Sequence, residues 1–121
     1  MPTAASTCVE DAVRRRRSAL IELSHSIHAG PALAVAQRRS RAKTQARVAE
    51  RGFGITPAPA GLDPAFRAVF GSGPLVIGIC AAYDALPGIG HACGHNIIAA
   101  SGVGTALALA EVADELGLTV V

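Results

Sequence analysis

Residues 83–96 read Tyr-Asp-Ala-Leu-Pro-Gly-Ile-Gly-His-Ala-Cys-Gly-His-Asn and bring several metal-ligating residue types into one short stretch. Cys93 and His95 are two residues apart, so their side chains would share one side of an extended segment. A thiolate and an imidazole aimed at one point make half of a zinc-type site. Asp84 and His91 are near enough in sequence to join the ligands or to orient them. Spacing alone leaves open a Gly-rich turn with a buried cysteine and two hydrogen-bonded histidines.

The longer string resembles the metal-binding segment of the M20 peptidases, specifically their amidohydrolase branch. Residues 83–87 (Tyr-Asp-Ala-Leu-Pro) and 90–96 (Gly-His-Ala-Cys-Gly-His-Asn) match the signature of that branch residue by residue. Residues 20–31 read Leu-Ile-Glu-Leu-Ser-His-Ser-Ile-His-Ala-Gly-Pro and resemble the family's opening helix. The resemblance extends over residues 10–121. It implies an α/β fold, the N-terminal part of a zinc-peptidase-like α/β/α catalytic domain that is incomplete.

The branch includes aminobenzoyl-glutamate hydrolases and related hydrolases of N-acyl amino acids and dipeptides. The resemblance therefore implies a metal-dependent amidohydrolase or peptidase, whose substrate is a small-molecule amide or dipeptide. Two zinc or manganese ions would activate a bridging water, and a glutamate would move its proton. Cys93 as thiolate and His95 as neutral imidazole would be metal ligands. His91 and Asp84 would orient them, and Asp84 is a further candidate ligand.

The chain also departs from the family pattern. The Gly-Thr-Pro-Ala-Glu-Glu segment that supplies the general-base glutamate and a further ligand is missing, so no catalytic residue is assigned. Missing too is the smaller domain through which full-length members close over substrate and form homo-oligomers. Four acidic positions of the family are changed, namely Ala32, Ala36, Gln37 and Ala82. We expect a truncated hydrolase that is inactive at this length. The alternative is a non-catalytic chain that binds metal weakly or associates with another protein through an unfinished sheet edge.

Composition sets outer limits on the class of protein. The 121 residues suit one domain, and half are hydrophobic with few aromatics, so the core must be aliphatic. A net charge of +2 is small for a nucleic-acid surface. Residues 14–17 are four arginines, which are typical of a solvated helix face, with a nucleic-acid or anion patch as the alternative. Three irregularly spaced cysteines indicate a reducing compartment. With no secretory signal and no apolar run long enough for a bilayer, we expect a cytoplasmic protein without membrane or nucleic-acid partners.

Hydrophobic periodicity predicts helices near residues 10–29, 32–51 and 96–116, with residues 1–9 disordered. Strands are predicted near residues 53–56, 66–71, 74–81 and 118–121. The second and third should pair as a hairpin, and the continuous apolar run of the third suits a strand buried on both faces. Asn96 is predicted to cap the last helix. Gly102 and Gly104 are predicted to leave a smooth helix face that lies close against a sheet, rather than to form a phosphate loop. His25 and His28, one helical turn apart, are predicted to have surface or capping roles rather than to bind metal.

Overall fold

The computed structural model describes residues 1–31 and 35–121 and confirms the α/β class. The helices of this described part are α1 (Ala4–His28), α2 (Val35–Ala49) and α3 (His95–Leu116), and a short 3-10 helix spans Pro59–Gly61. Its strands are β1 (Gly54–Pro57), β2 (Phe66–Gly71), β3 (Leu75–Ile77) and β4 (Leu118–Val120). They form a mixed sheet in the order β1-β2-β4-β3, with β3 and β4 parallel and the other neighbours antiparallel.

Helix α1 begins at Ala4, so residues 4–9 are helical where the sequence predicted disorder. The Thr3 side chain caps this helix by accepting a hydrogen bond from the Ser6 N–H at 3.1 Å. Cys8 and Val9 then pack against the core and stabilise the first turns. The small, polar composition of the segment favours disorder and gives little sign of the cap or of these apolar contacts.

Helix α2 is described from Val35 to Ala49, within the predicted range of 32–51. The first three residues of the predicted range, including the changed family position Ala32, lie outside the described residues. Gly52, with φ of 98°, turns the chain from this helix into Phe53 and β1.

The predicted hairpin between the second and third strands is wrong, because β4 lies between β2 and β3. β2 instead forms a hairpin with β1, in the register Ile55 opposite Ala68. The connection after β2 passes so close to β4 that a Cβ on Gly73 would lie 1.9 Å from the Gly117 carbonyl carbon. The chain thereby crosses the start of β4, and β3 lies on the far side of β4 from β2.

The sheet has one covered face in the described part of the chain. Alternate strand residues on that face pack against the core that the helices share, and they are Ile55, Phe66, Ala68, Phe70, Ile77, Leu118 and Val120. The prediction of a third strand buried on both faces is wrong, because β3 is an edge strand in which Leu75 and Val76 are 57% and 61% exposed. An apolar run of this length does not distinguish a central strand from an edge strand.

Helix α3 is the central element of the core and packs against α1, α2, β2 and β4. It ends at Gly117, whose N–H donates to the carbonyls of Ala113 and Asp114 in a left-handed C-terminal turn. Gly104 lies against Leu20 of α1 and Gly102 against Ala81 in the connection between β3 and α3. The predicted close packing of both glycines is confirmed, but the partners are not strands of the sheet. By length and composition α3 is apolar enough to span a membrane, contrary to the sequence expectation, but most of it is buried in the fold, as in core helices generally.

Candidate metal centre

The string of residues 83–96 lies mainly in the connection between β3 and α3. After Ile77 the chain runs through residues 78–94, which hold an isolated antiparallel bridge between Leu86 and Gly90. Gly88 and Gly90 both have positive φ, 73° and 77°, and make the tight turn that this bridge requires. The connection leaves the carboxyl end of a parallel strand, the usual position of sites in α/β sheets.

Asp84 and His95 are brought together across this connection. The His95 Nδ1 lies 2.9 Å from the Asp84 carboxylate Oδ1 and 3.2 Å from the Asp84 carbonyl oxygen. Because the carbonyl can only accept and a carboxylate accepts, His95 Nδ1–H donates to both. The lone pair of the neutral ring is therefore on Nε2. This carboxylate–histidine pair is the arrangement that orients metal-binding imidazoles in proteins.

Cys93 is exposed as a free thiol, so the alternative of a buried cysteine in a Gly-rich turn does not hold. The segment around it is not extended, because Gly94 is left-handed with φ of 73° and serves as the N-cap of α3. The prediction that Cys93 and His95 point to the same side assumed an extended backbone, in which side chains alternate between two faces. The turn at Gly94 interrupts that alternation. Their convergence on one point stays a prediction.

The side chains Cys93, His95 and Asp84 offer atoms of the types that bind zinc or manganese, but the described residues bring too few of them together. Thiolate, imidazole and carboxylate are ordinary ligands of such ions. Within residues 1–31 and 35–121, however, no group of three or more His, Cys, Asp or Glu side chains is placed to hold a metal ion. The described residues therefore show the Asp84–His95 pair but no complete set of metal ligands.

His91 lies near His28, the last residue of α1. Its ring centroid lies 6.1 Å from that of His28, with the ring planes tilted by 31°. His91 Nδ1 is buried and has no hydrogen-bond partner among the described residues. Helical spacing predicted a surface or capping role for His28, and its proximity to His91 could not be read from that spacing.

Tyr83 and Asn96 hold the two ends of the 83–96 string by hydrogen bonds. The Tyr83 hydroxyl donates to the Pro64 carbonyl at 2.8 Å, and burial raises the pKa of Tyr83, with Arg41 opposing and Asp63 adding to the shift. Asn96 is the second residue of α3 rather than its cap, which corrects the sequence prediction. It is buried and donates to the Ser24 hydroxyl at 3.0 Å. The site segment is thereby tied to the β1–β2 connection and to α1.

A cavity of about 540 Å³ adjoins the site. Tyr83 and Asp84 are among its lining residues, together with mainly apolar residues of α2, β2 and α3. Its volume is in the range of ligand-binding cavities.

Comparison with known proteins relates the chain to two kinds of hydrolase. The Xaa-Arg dipeptidase of Mus musculus is 38% identical over 102 residues, 72% of this chain and 22% of that protein. The Xaa-Arg dipeptidase of Homo sapiens is 65% identical over 34 residues, 28% of this chain and 8% of that protein. One of the subunits of the p-aminobenzoyl-glutamate hydrolase of Escherichia coli strain K12 is 25% identical over 126 aligned positions, 90% of this chain and 26% of that protein.

A scan against protein-family models found no match. The chain spans about a quarter or less of the length of the curated relatives it matches. Those relatives are M20 family members, as the Tyr-Asp-Ala-Leu-Pro and Gly-His-Ala-Cys-Gly-His-Asn strings predicted. The chain is accordingly a relative of the M20 hydrolases, homologous to part of their length.

Proposed function

We propose that the chain supplies the metal-binding corner of a metal-dependent amide hydrolase. The observation that carries this proposal is the hydrogen bond from His95 Nδ1–H to Asp84, which leaves Nε2 of His95 ready to bind a metal ion. The homologues support dipeptidase or amidohydrolase activity in general. The substrate class we propose is N-acyl amino acids and dipeptide-like amides, including aminobenzoyl-glutamate.

The residues have separate roles in this proposal. Cys93 as thiolate and His95 as neutral imidazole are the ligands, and Asp84 holds the imidazole in its Nδ1–H tautomer. Zinc or manganese, when bound, would acidify a water and polarise the amide carbonyl. Cytoplasmic localisation is part of the same proposal, since a ligand thiol must stay reduced.

We further propose that these 121 residues alone do not hydrolyse amides at a useful rate. General-base catalysis contributes about 10²–10⁴-fold, and no acidic residue beyond Asp84 is found beside His95 in the described structure. Asp114 and Glu115 lie near the opposite end of α3 from His95. A second candidate function, weak metal binding without catalysis, is favoured by the incomplete ligand group.

The test is an assay of the purified chain with zinc or manganese against aminobenzoyl-glutamate, Xaa-Arg dipeptides and N-acyl amino acids. We expect no metal-dependent turnover from the chain, from the Cys93→Ser variant or from a Cys80→Ser control, which changes an exposed thiol outside residues 83–96. Turnover that disappears in Cys93→Ser but persists in Cys80→Ser would contradict the proposed inactivity and show a more complete site. Turnover that is indifferent to Cys93→Ser would contradict its role as ligand.

A further inference from the structure

His28 and His91 form a second pair of metal-ligating side chains, apart from Asp84 and His95. His28 is the last residue of α1, and His91 lies in the connection between β3 and α3. Their ring centroids are 6.1 Å apart, with the ring planes tilted by 31°. Within the described residues neither ring takes part in a side-chain hydrogen bond or an ion pair, whereas the ring of His95 does both. Each ring of the pair therefore retains a nitrogen that can bind a ligand.

The backbone beside this pair is closely packed. Pro31 follows His28 by three residues and lies against the turn that precedes His91, so that a Cβ on Gly90 would lie 3.6 Å from the Pro31 Cβ. Gly90 has a φ of 77°, and its bridge with Leu86 closes the turn. This contact holds the segments that carry the two histidines next to each other.

The His91 ring has an unsatisfied nitrogen. Its Nδ1 is buried and lacks a hydrogen-bond partner among residues 1–31 and 35–121. Leaving a buried polar atom unpaired costs about 1–3 kcal/mol, and such atoms often mark the position of a water or an ion. Coordination of a metal ion by Nδ1 would remove this cost.

The separation of the rings suits a shared ion after a small movement. Zinc binds imidazole nitrogen at about 2.0–2.1 Å, which places each ring centroid about 3.2 Å from the ion. Two imidazoles at the tetrahedral angle then have centroids about 5.2 Å apart. The observed distance of 6.1 Å is about 0.9 Å longer. Rotation of His28 can close this difference, because its side chain is exposed and exposed rotamers interconvert rapidly.

We propose that His28 and His91 together bind a zinc ion at a site separate from Cys93 and His95. Imidazole is an ordinary zinc ligand, and the partial negative charge at the C-terminal end of α1 favours a cation beside His28. No third His, Cys, Asp or Glu joins the pair in the described part of the chain, so water completes the coordination. The ion connects the end of α1 to the segment that carries Asp84. This site does not depend on the proposed hydrolase function.

A zinc titration of the unmodified full chain tests the site, with the ring ¹⁵N chemical shifts of all four histidines as the readout. We expect ring nitrogens of His28 and His91 to shift along one binding curve. His25, which is exposed one helical turn before His28, should not shift. The His95 nitrogens report separately on the proposed metal corner, so failure of either site is recognised independently of the other.

Three variants assign the ligands. His28→Ala should weaken the zinc-dependent shift of His91 by at least about tenfold in affinity, since a lost ligand costs no less than a lost outer-shell partner. His25→Ala, the same change at another exposed position of α1, should leave the affinity unchanged. Cys93→Ser should leave the His28 and His91 shifts in place.

Four outcomes would overturn the proposal. They are no shift of either ring, a shift of His28 without His91, a His91 affinity that His28→Ala does not alter, and loss of the His91 shift in Cys93→Ser. The last would place His91 in the metal corner with Cys93.

Discussion

The effect of Asp84 on metal binding depends on its hydrogen bonds to the His95 ring. Its carboxylate and carbonyl both accept from Nδ1–H, so they select one tautomer and one ring orientation. Removal of such a partner typically costs about 10–100-fold in metal affinity. We therefore expect Asp84→Ala to weaken zinc binding by about that factor, measured by calorimetry with the intact chain as reference.

Asp114→Ala is the matched control, because Asp114 is exposed near the far end of α3. It should leave zinc affinity within about twofold, since exposed charges at that distance are largely screened. Equal losses in Asp84→Ala and Asp114→Ala would contradict an orienting role for Asp84.

Glu111 links three parts of the chain. It accepts from Arg16 at 2.6 Å and lies 3.6 Å from Arg51, whose guanidinium stacks over the Phe70 ring at 4.8 Å from its centroid. The hydrogen bond from Arg16 is the main cause that lowers the pKa of Glu111, with Arg51 also contributing. Because this pKa is lowered on folding, the contribution to stability is complete above the carboxyl's unfolded pKa. It is lost as the pH falls through the folded value.

Glu111→Gln should thus lower the free energy of unfolding by about 1 kcal/mol at pH 7 and by less at pH 3. Urea unfolding at the two pH values measures both effects. Glu115→Gln, at an exposed position of the same helix, should change stability by less than about 0.5 kcal/mol at either pH. A Glu111→Gln effect that is equal at pH 7 and pH 3 would be evidence against the ion pair.

Among the elements, α3 positions the site segment through close contact. A Cβ on Gly102 would lie 2.7 Å from the Ala81 Cβ, which belongs to the connection that carries Asp84. Gly102→Val should destabilise the chain by about 1–3 kcal/mol, the usual cost of overpacking, as measured by urea unfolding. Ser101→Val introduces the same side chain at an exposed position of the helix and should cost less than about 1 kcal/mol. Similar costs for the two variants would disprove the tight contact.

At the scale of elements, the sequence predicts whether a segment is a helix or a strand better than it predicts which strands pair. The apolar periodicity of α1 and α3 is visible as a pattern, and the structure confirms both helices. The pairing of β2 with β4 is not visible, because a short connection after β2 favours a hairpin by default. That default fails where Gly71 and Gly73 pass directly over the backbone of Gly117 and Leu118.

At the scale of the whole molecule, the described residues combine a sheet with one covered face and no group of three metal-ligating side chains. The Asp84–His95 pair was predictable in residue type from the motif, but its hydrogen bond required the fold of residues 84–95. The contact between His28 and His91 joins elements far apart in sequence and had no local signal.

The central claim is that Cys93 and His95 together bind a divalent metal ion. Titration with Co²⁺ tests it most directly, because a thiolate ligand gives a near-ultraviolet charge-transfer absorption. We expect this absorption with a dissociation constant no tighter than roughly micromolar, since a partial ligand set falls short of the about 10–16 kcal/mol of complete zinc sites. Cys93→Ser should abolish the absorption and His95→Ala should weaken it, while Cys80→Ser should leave it intact. An absorption that survives Cys93→Ser and disappears in Cys80→Ser would contradict the account.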